Sequence, residues 1–340
     1  MPSHRRPTLT DVAQRVGVSA KTVSRVLNGD GPVADETRAK IMAVVEELGF
    51  QPNLMARNMR IGSRDSTVGL VVPDMGNPFF GTVASGIEEA VGNRGLTLLI
   101  GSSGESVERE NTLVTTFLAR RISALMIVPA AGGDHRHLRR ERESGLPLVF
   151  LDRPAAGLAA DCVVSANRQG AKEGTAHLIA HGHRRIGFVR DLPASLFTRQ
   201  ERFRGYRDAL AEAGIPYDRT LAADAHDPAA AATAVRRLLA LDPPPTAVFT
   251  GNNFATLGAV QALTADARQD VALVGFDDLP LADVLRPGLT VVTQDPRAIG
   301  TAAAELALRR LDGDRRGATR QTVPVRLVPR GTGELRPPTA

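Results

Sequence analysis

The 340-residue sequence predicts a small α-helical head joined to a larger two-lobed α/β body built on parallel sheets. Three observations carry this. Between residues 8 and 49, apolar side chains recur at a helical period in three short segments separated by glycine-bearing turns. From Thr67 onward, apolar runs of strand length alternate with helix-length segments over about 264 residues, the pattern of βαβ units and more chain than one sheet comfortably uses. The charge divides at the same place. Lys and Arg total 42 against 37 Asp and Glu, a net +5, yet residues 1–64 hold ten basic side chains against six acidic ones, so +4 of that excess lies in the first fifth of the chain. Such a balance fits a small polyanion-binding module on a nearly neutral body.

In the head, Thr8 is placed to cap a first helix with Asp11 as its capping-box partner, and Leu9, Val12, Ala13 and Val16 share one face. Gly17 ends it. Ser19 caps a second helix that turns Val23, Val26 and Leu27 inward and leaves Lys21, Ser24, Arg25 and Asn28 on a polar face. A third runs from about Asp35, with Ile41, Val44, Val45 and Leu48 on its inner face and Gly49 as its stop. Residues 52–60 follow, with Pro52 at a first helical position. Nine residues make a marginal helix alone, so this segment is expected to need a partner surface.

In the body the expected strands are Val68–Val72, Leu96–Ile100, Ala124–Val128, Leu148–Leu151, Ile186–Arg190, Ala247–Thr250, Val271–Gly275 and Leu289–Thr293. The helical segments between them are Phe79–Arg94, Val107–Arg120, Arg168–His181, Arg199–Ala213, Pro228–Leu241, Asn253–Thr264 and Arg297–Leu311. Ligand chemistry belongs at the C-terminal ends of such strands. Residues after Pro329 read as a tail.

Several classes are excluded. The single cysteine, Cys162, allows no intrachain disulfide and fits a reducing compartment. No secretory h-region follows the charged N-terminus and no apolar run approaches a membrane span, so a cytoplasmic protein without a membrane partner is expected. There is no phosphate-binding G-x-x-x-x-G-K-[ST] loop. His177 and His181 have a zinc-like spacing, but Leu178 stands where a zincin needs glutamate; with His183 they read as a helix end and turn, and neither a metal nor a cofactor is expected.

The segment from Thr8 to Asn28, TLTDVAQRVGVSAKTVSRVLN, resembles the helix-turn-helix of the bacterial transcription regulators typified by the lactose, purine and galactose repressors. The likeness continues through Val33 to Pro52 into a hinge helix. In the body it is carried by VGLVVP from Val68, NPFF from Asn77, GHRRIG from Gly182, RFRGY from Arg202, TAVFTGN from Thr246, VGFDD from Val274, and Thr293-Gln294. It implies a homodimer on a pseudo-palindromic operator, most simply a repressor of carbohydrate genes, with a body like a periplasmic sugar-binding protein. The implied organisation is a head over 1–51, a hinge helix over 52–60, a linker over 61–66, an effector and dimerisation domain over 67–330, and a tail over 331–340. Within the body, one lobe takes about 67–165 plus 295–319 and the other 166–294 plus 320–330.

The physics of the head gives the same answer, since a major groove about 12 Å wide admits one helix whose exposed N-terminal side chains meet base edges. Ala20, Lys21 and Arg25 are the base-reading candidates, and Thr10, Ser19, Thr22, Ser24 and Asn28 the candidates for phosphate. Resemblance places the hinge contacts at Asn53, Leu54, Arg57, Met59 and Arg60, with Met59 as a minor-groove wedge where many relatives carry Leu. It assigns the effector cleft to Phe80, Asp152, Arg153, Asn167, Arg202, Asn253, Asp277 and Gln294. Two carboxylates common among relatives are missing, at Ala166 and Asn253, while Arg153 and Arg202 remain. The cleft is therefore expected to admit a sugar acid or sugar phosphate as well as a sugar. The rival reading is a cytoplasmic α/β enzyme acting on a small sugar or sugar acid.

Overall fold

The computed structural model describes residues 7–29, 31–50 and 66–338, and the chain divides into two compact units at residues 65 and 66. In the first, α1 (Leu9–Val16), α2 (Ala20–Asn28) and α3 (Asp35–Glu47) enclose Val12, Ala13, Val23, Val26, Ile41 and Phe50. The capping box is present: the Thr8 hydroxyl accepts from the Asp11 N–H, and the Asp11 carboxylate accepts from the Thr8 N–H at 2.7 Å. Gly17 then takes a left-handed φ of 80°, which turns the chain sharply enough for Ser19 to cap α2 by accepting from the Thr22 N–H at 3.1 Å.

The second unit carries two six-stranded sheets. In the first lobe β1 (Thr67–Val72), β2 (Thr97–Ser102), β3 (Ala124–Ile127), β4 (Leu148–Leu151) and β5 (Asp161–Ser165) run parallel. On one face α4 (Pro78–Gly92) and α11 (Pro296–Leu311) share a buried cluster; on the other lie α5 (Val107–Ala119) and the short α6 (Arg139–Glu143). In the second lobe β6 (Ile186–Arg190), β7 (Ala222–Asp224), β8 (Ala247–Thr250), β9 (Ala272–Phe276) and β10 (Thr290–Thr293) are also parallel. Helices α7 (Asn167–Ala180) and α8 (Phe197–Glu212) cover one face, and α9 (Pro228–Leu239) and α10 (Asn253–Ala265) the other. The strands are apolar along most of their length because helices bury both faces.

Two expectations need correction. Residues 320–323, assigned to the second lobe, form β11 (Arg320–Val323) at the edge of the first sheet, pairing with β5 and sinking Val323 into the first lobe's core. The chain then crosses to β12 (Arg326–Val328), antiparallel to β10. Nor are residues 331–338 a trailing tail. Thr332 exchanges hydrogen bonds with Leu273, the Glu334 carboxylate accepts from Thr290 and meets His177, and the Leu335 carbonyl accepts from buried His183. His177 and His183 thus seat the end of the chain on the second lobe, while His181 donates to the His177 carbonyl, and no described cluster of His, Cys, Asp and Glu could hold a metal.

Candidate functional site

On the head, Ser19, Ala20, Lys21 and Arg25 are exposed along α2, whose Val23 and Val26 anchor it inside. Thr10 is exposed on α1, and Thr22 and Ser24 are half-buried. The Ser19 and Thr22 hydroxyls lie 2.9 Å apart, so both take part in the cap. Arg15 is held by Glu47 at 2.7 Å and Lys40 by Glu36 at 2.8 Å, whereas Lys21 and Arg25 make no ion pair with a described residue. Lys21 and Arg25 on α2, with Arg38 on α3, are thus the cations of the described head left without a carboxylate partner. Asn53, Leu54, Arg57, Met59 and Arg60, and the side chain of Asn28, lie outside the described residues.

In the body, a cleft of about 210 Å³ lies between the lobes. Its polar wall is assembled from strand ends: Asp74 and Asn77 after β1, Glu105 after β2, Asp152 and Arg153 after β4, Asp191 after β6, Asn253 after β8, Asp277 after β9 and Gln294 after β10. This follows from the strand order, which reverses between β1 and β3 and again between β6 and β8, leaving crevices at the carboxyl ends. Asp152 and Asp277 occupy matching places in the two lobes. Each follows a central strand with a left-handed φ, 61° and 74°, and each donates its N–H to the neighbouring strand. Such backbone is uncommon outside glycine and is tolerated best by Asp and Asn.

Seven of the eight expected cleft residues line this space; the eighth, Asn167, lies beneath it, accepting from Arg202 Nε at 2.7 Å. Arg202 also donates to the Gly251 carbonyl at 2.7 Å, lies over the Phe276 ring at 3.8 Å and faces Asp277 at 3.7 Å. Arg153 donates to both Glu105 oxygens, at 2.9 and 2.8 Å, and to the Pro129 carbonyl. Burial works against its charge, but Glu105 and Asp152 hold the guanidinium above its usual range. Burial pushes the Asp152 carboxyl up, opposed by Arg153 and Arg202. Gln294 donates to Asp277, while its buried Oε1 has no hydrogen-bond partner among the described residues.

The cationic surplus expected of Arg153 and Arg202 is absent. Both are already paired, and five lining carboxylates (Asp74, Glu105, Asp152, Asp191, Asp277) outnumber these two guanidiniums. Sequence reasoning missed Asp74, Asn77, Glu105 and Asp191 as lining residues. Their common signal is position: each lies just past the end of a strand. His226 faces Asp191 at 3.2 Å, and that hydrogen bond raises its pKa. Phe79, Phe80 and Phe254 add apolar faces.

Two family profiles match the chain: "Bacterial regulatory proteins, lacI family" over residues 8–53, and "Periplasmic binding proteins and sugar binding domain of LacI family" over residues 65–330. The chain is 32% identical over 309 residues to the ribose operon repressor of Haemophilus influenzae, covering 89% of this chain and 92% of the relative. Among solved structures, the transcriptional regulator CelR–cellobiose complex matches with TM-score 0.72 at 30% identity, over 96% of this chain and 100% of that one. The lac repressor dimer bound to operator and the anti-inducer ONPF matches with TM-score 0.83 at 26% identity, over 97% and 99%. With a capped helix-turn-helix that exposes its cations, a cleft at the strand ends, and both profiles spanning their respective units, the chain belongs to the LacI family of bacterial transcriptional regulators.

Proposed function

We propose that this regulator is a repressor that binds a pseudo-palindromic operator as a homodimer and is governed by a neutral, polyhydroxylated sugar held between the lobes. The observation that carries the ligand class is the pairing of both cleft guanidiniums with protein carboxylates. An added carboxylate or phosphate would meet uncompensated negative charge, whereas sugar hydroxyls can donate to Asp152, Asp277 and the unpartnered Gln294 Oε1 and accept from Asn253. The aromatic rings suit the apolar faces of a pyranose. The CelR–cellobiose complex supports a sugar of this kind, and the operator-bound lac repressor dimer supports the assembly. A surface for the second copy is available on the loop after β9, where Leu281 and Val284 are 69% and 57% exposed. No described helix is long and apolar enough to cross a membrane, which agrees with action in the cytoplasm. Relatives that regulate transcription displace the enzyme reading.

Calorimetric titration of the full chain with neutral mono- and disaccharides, uronic acids and sugar phosphates tests the ligand class. Binding of a neutral sugar, weakened by Asp152→Asn, is expected. Binding confined to the acids or phosphates would overturn it.

A further inference from the structure

Fifteen of the thirty-one arginines of the body pair with a carboxylate among the described residues. Arg94 holds Asp312, Arg168 holds Asp208, Arg236 holds Asp266 and Arg310 holds Asp161, each through two hydrogen bonds. Arg120, Arg121, Arg139, Arg140 and Arg142 are among the sixteen that make no ion pair with a described residue, and all five are exposed. They also lie close together. Arg120 and Arg121 follow α5 and lead into β3, while the other three lie on α6, which leads into β4. These strands are parallel neighbours, the Leu125 N–H donates to the Pro147 carbonyl at 2.9 Å where both begin, and Phe117, Ile122, Leu138 and Leu146 anchor the two segments in one buried cluster. Five arginines against Glu141 and Glu143 leave +3 on this face, in a body that is nearly neutral.

Its place in the fold indicates a partner. Parallel strands all begin at one end of a sheet, and the Ser123 N–H donates to the Thr67 carbonyl at 2.7 Å, so the arginine face lies at the end where β1 begins. The chain enters the body there from the head, and the cleft lies at the opposite end. Sixteen residue steps separate Phe50 from Ser66, a span of at most about 55 Å. Guanidiniums joined by a short stretch of chain to a DNA-binding head meet duplex phosphates at raised effective concentration, and their forked donors match phosphate oxygens. We propose that this arginine face of the first lobe binds the phosphate backbone flanking the operator, adding sequence-independent affinity to what the head reads. The proposal rests on the DNA-binding reading above.

The test uses the full chain and an operator recovered by selection from a random duplex pool. The operator is prepared as a short duplex of about 20 base pairs, little more than two half-sites, and a long one of about 50. The variant is R120A/R139A/R140A/R142A; Arg121 is kept because its φ of 57° ties that backbone to the turn. On the long duplex at low salt the variant should bind at least about fivefold more weakly, with a slope of log affinity against log salt shallower by about 0.9 for each phosphate it no longer neutralises. On the short duplex, affinity and slope should match the parent, and a variant with four lysines at these positions should restore the long-duplex values. Unchanged binding to the long duplex, or an equal loss on both lengths, would overturn the proposal. If selection enriches nothing and the parent binds neither duplex, the DNA-binding reading fails and takes this one with it.

Discussion

Asn77 and Asn253 join the two lobes across the cleft: Asn253 Nδ2 donates to Asn77 Oδ1 at 2.8 Å, and Asn77 Nδ2 returns a longer bond at 3.4 Å. Both sit at helix starts. Asn77 caps α4 by accepting from the Phe79 N–H, and Asn253 opens α10. The amide pair therefore ties the closed arrangement to two helices that line the cleft. Asn253→Ala should lower effector affinity by about 2- to 10-fold, the worth of one neutral hydrogen bond. Calorimetry checks this, with scattering showing a larger radius of gyration for the unliganded variant.

The exposed cations on α2 predict a change in preference rather than a uniform loss. Lys21→Ala should relax selectivity at one base position per half-site by about 1–3 kcal/mol, read by selection of operator variants. An even loss across all sequences would make Lys21 a phosphate contact.

His226 gives the cleft a pH response with a definite sign. Its pKa is raised by the hydrogen bond to Asp191, so the folded state holds the proton more tightly than the unfolded state. The stabilisation is complete below the unfolded value of about 6.5 and disappears as pH rises through the higher folded midpoint. An NMR titration should place the His226 midpoint above that of a free histidine, and Asp191→Asn should bring it down. A midpoint unchanged by that substitution would contradict the pairing.

The end of the chain should behave as part of the second lobe. Removing residues 331–340 strips the partners of Leu273, Thr290, His177 and His183. The body's melting temperature should fall by roughly 6–12 °C, for a loss of about 3 kcal/mol, while the head's transition stays in place. An unchanged body transition would make the segment dispensable.

The head was legible because its signals are local: Thr8 with Asp11, Gly17 and Ser19 specify the two helices and the turn within a dozen residues. Eight strands were legible as apolar runs between helices, but β5, whose run is opened by Asp161 and closed by Ser165, and the three-residue β7 were not. β11 was not, because three of its four residues are exposed at a sheet edge and carry no apolar pattern. The C-terminal segment was missed for a related reason: Glu334 and His177 lie 157 residues apart, beyond any local periodicity. In the cleft, resemblance supplied Asp152, Arg202 and Asp277. Glu105 and Asp191 read as ordinary loop carboxylates until the strand order brings their loops to one crevice. The charge of the cleft was misjudged because Arg153 was visible in the sequence and its partner Glu105, 48 residues away, was not.

The central claim is that a sugar in the cleft changes the affinity of the head for DNA. Anisotropy titration of the selected operator, with and without a saturating sugar found by calorimetry, measures that coupling directly. The account predicts a shift in operator affinity of about 5- to 150-fold, equivalent to 1–3 kcal/mol. Superimposable isotherms, with the sugar shown to be bound in the cleft, would contradict it.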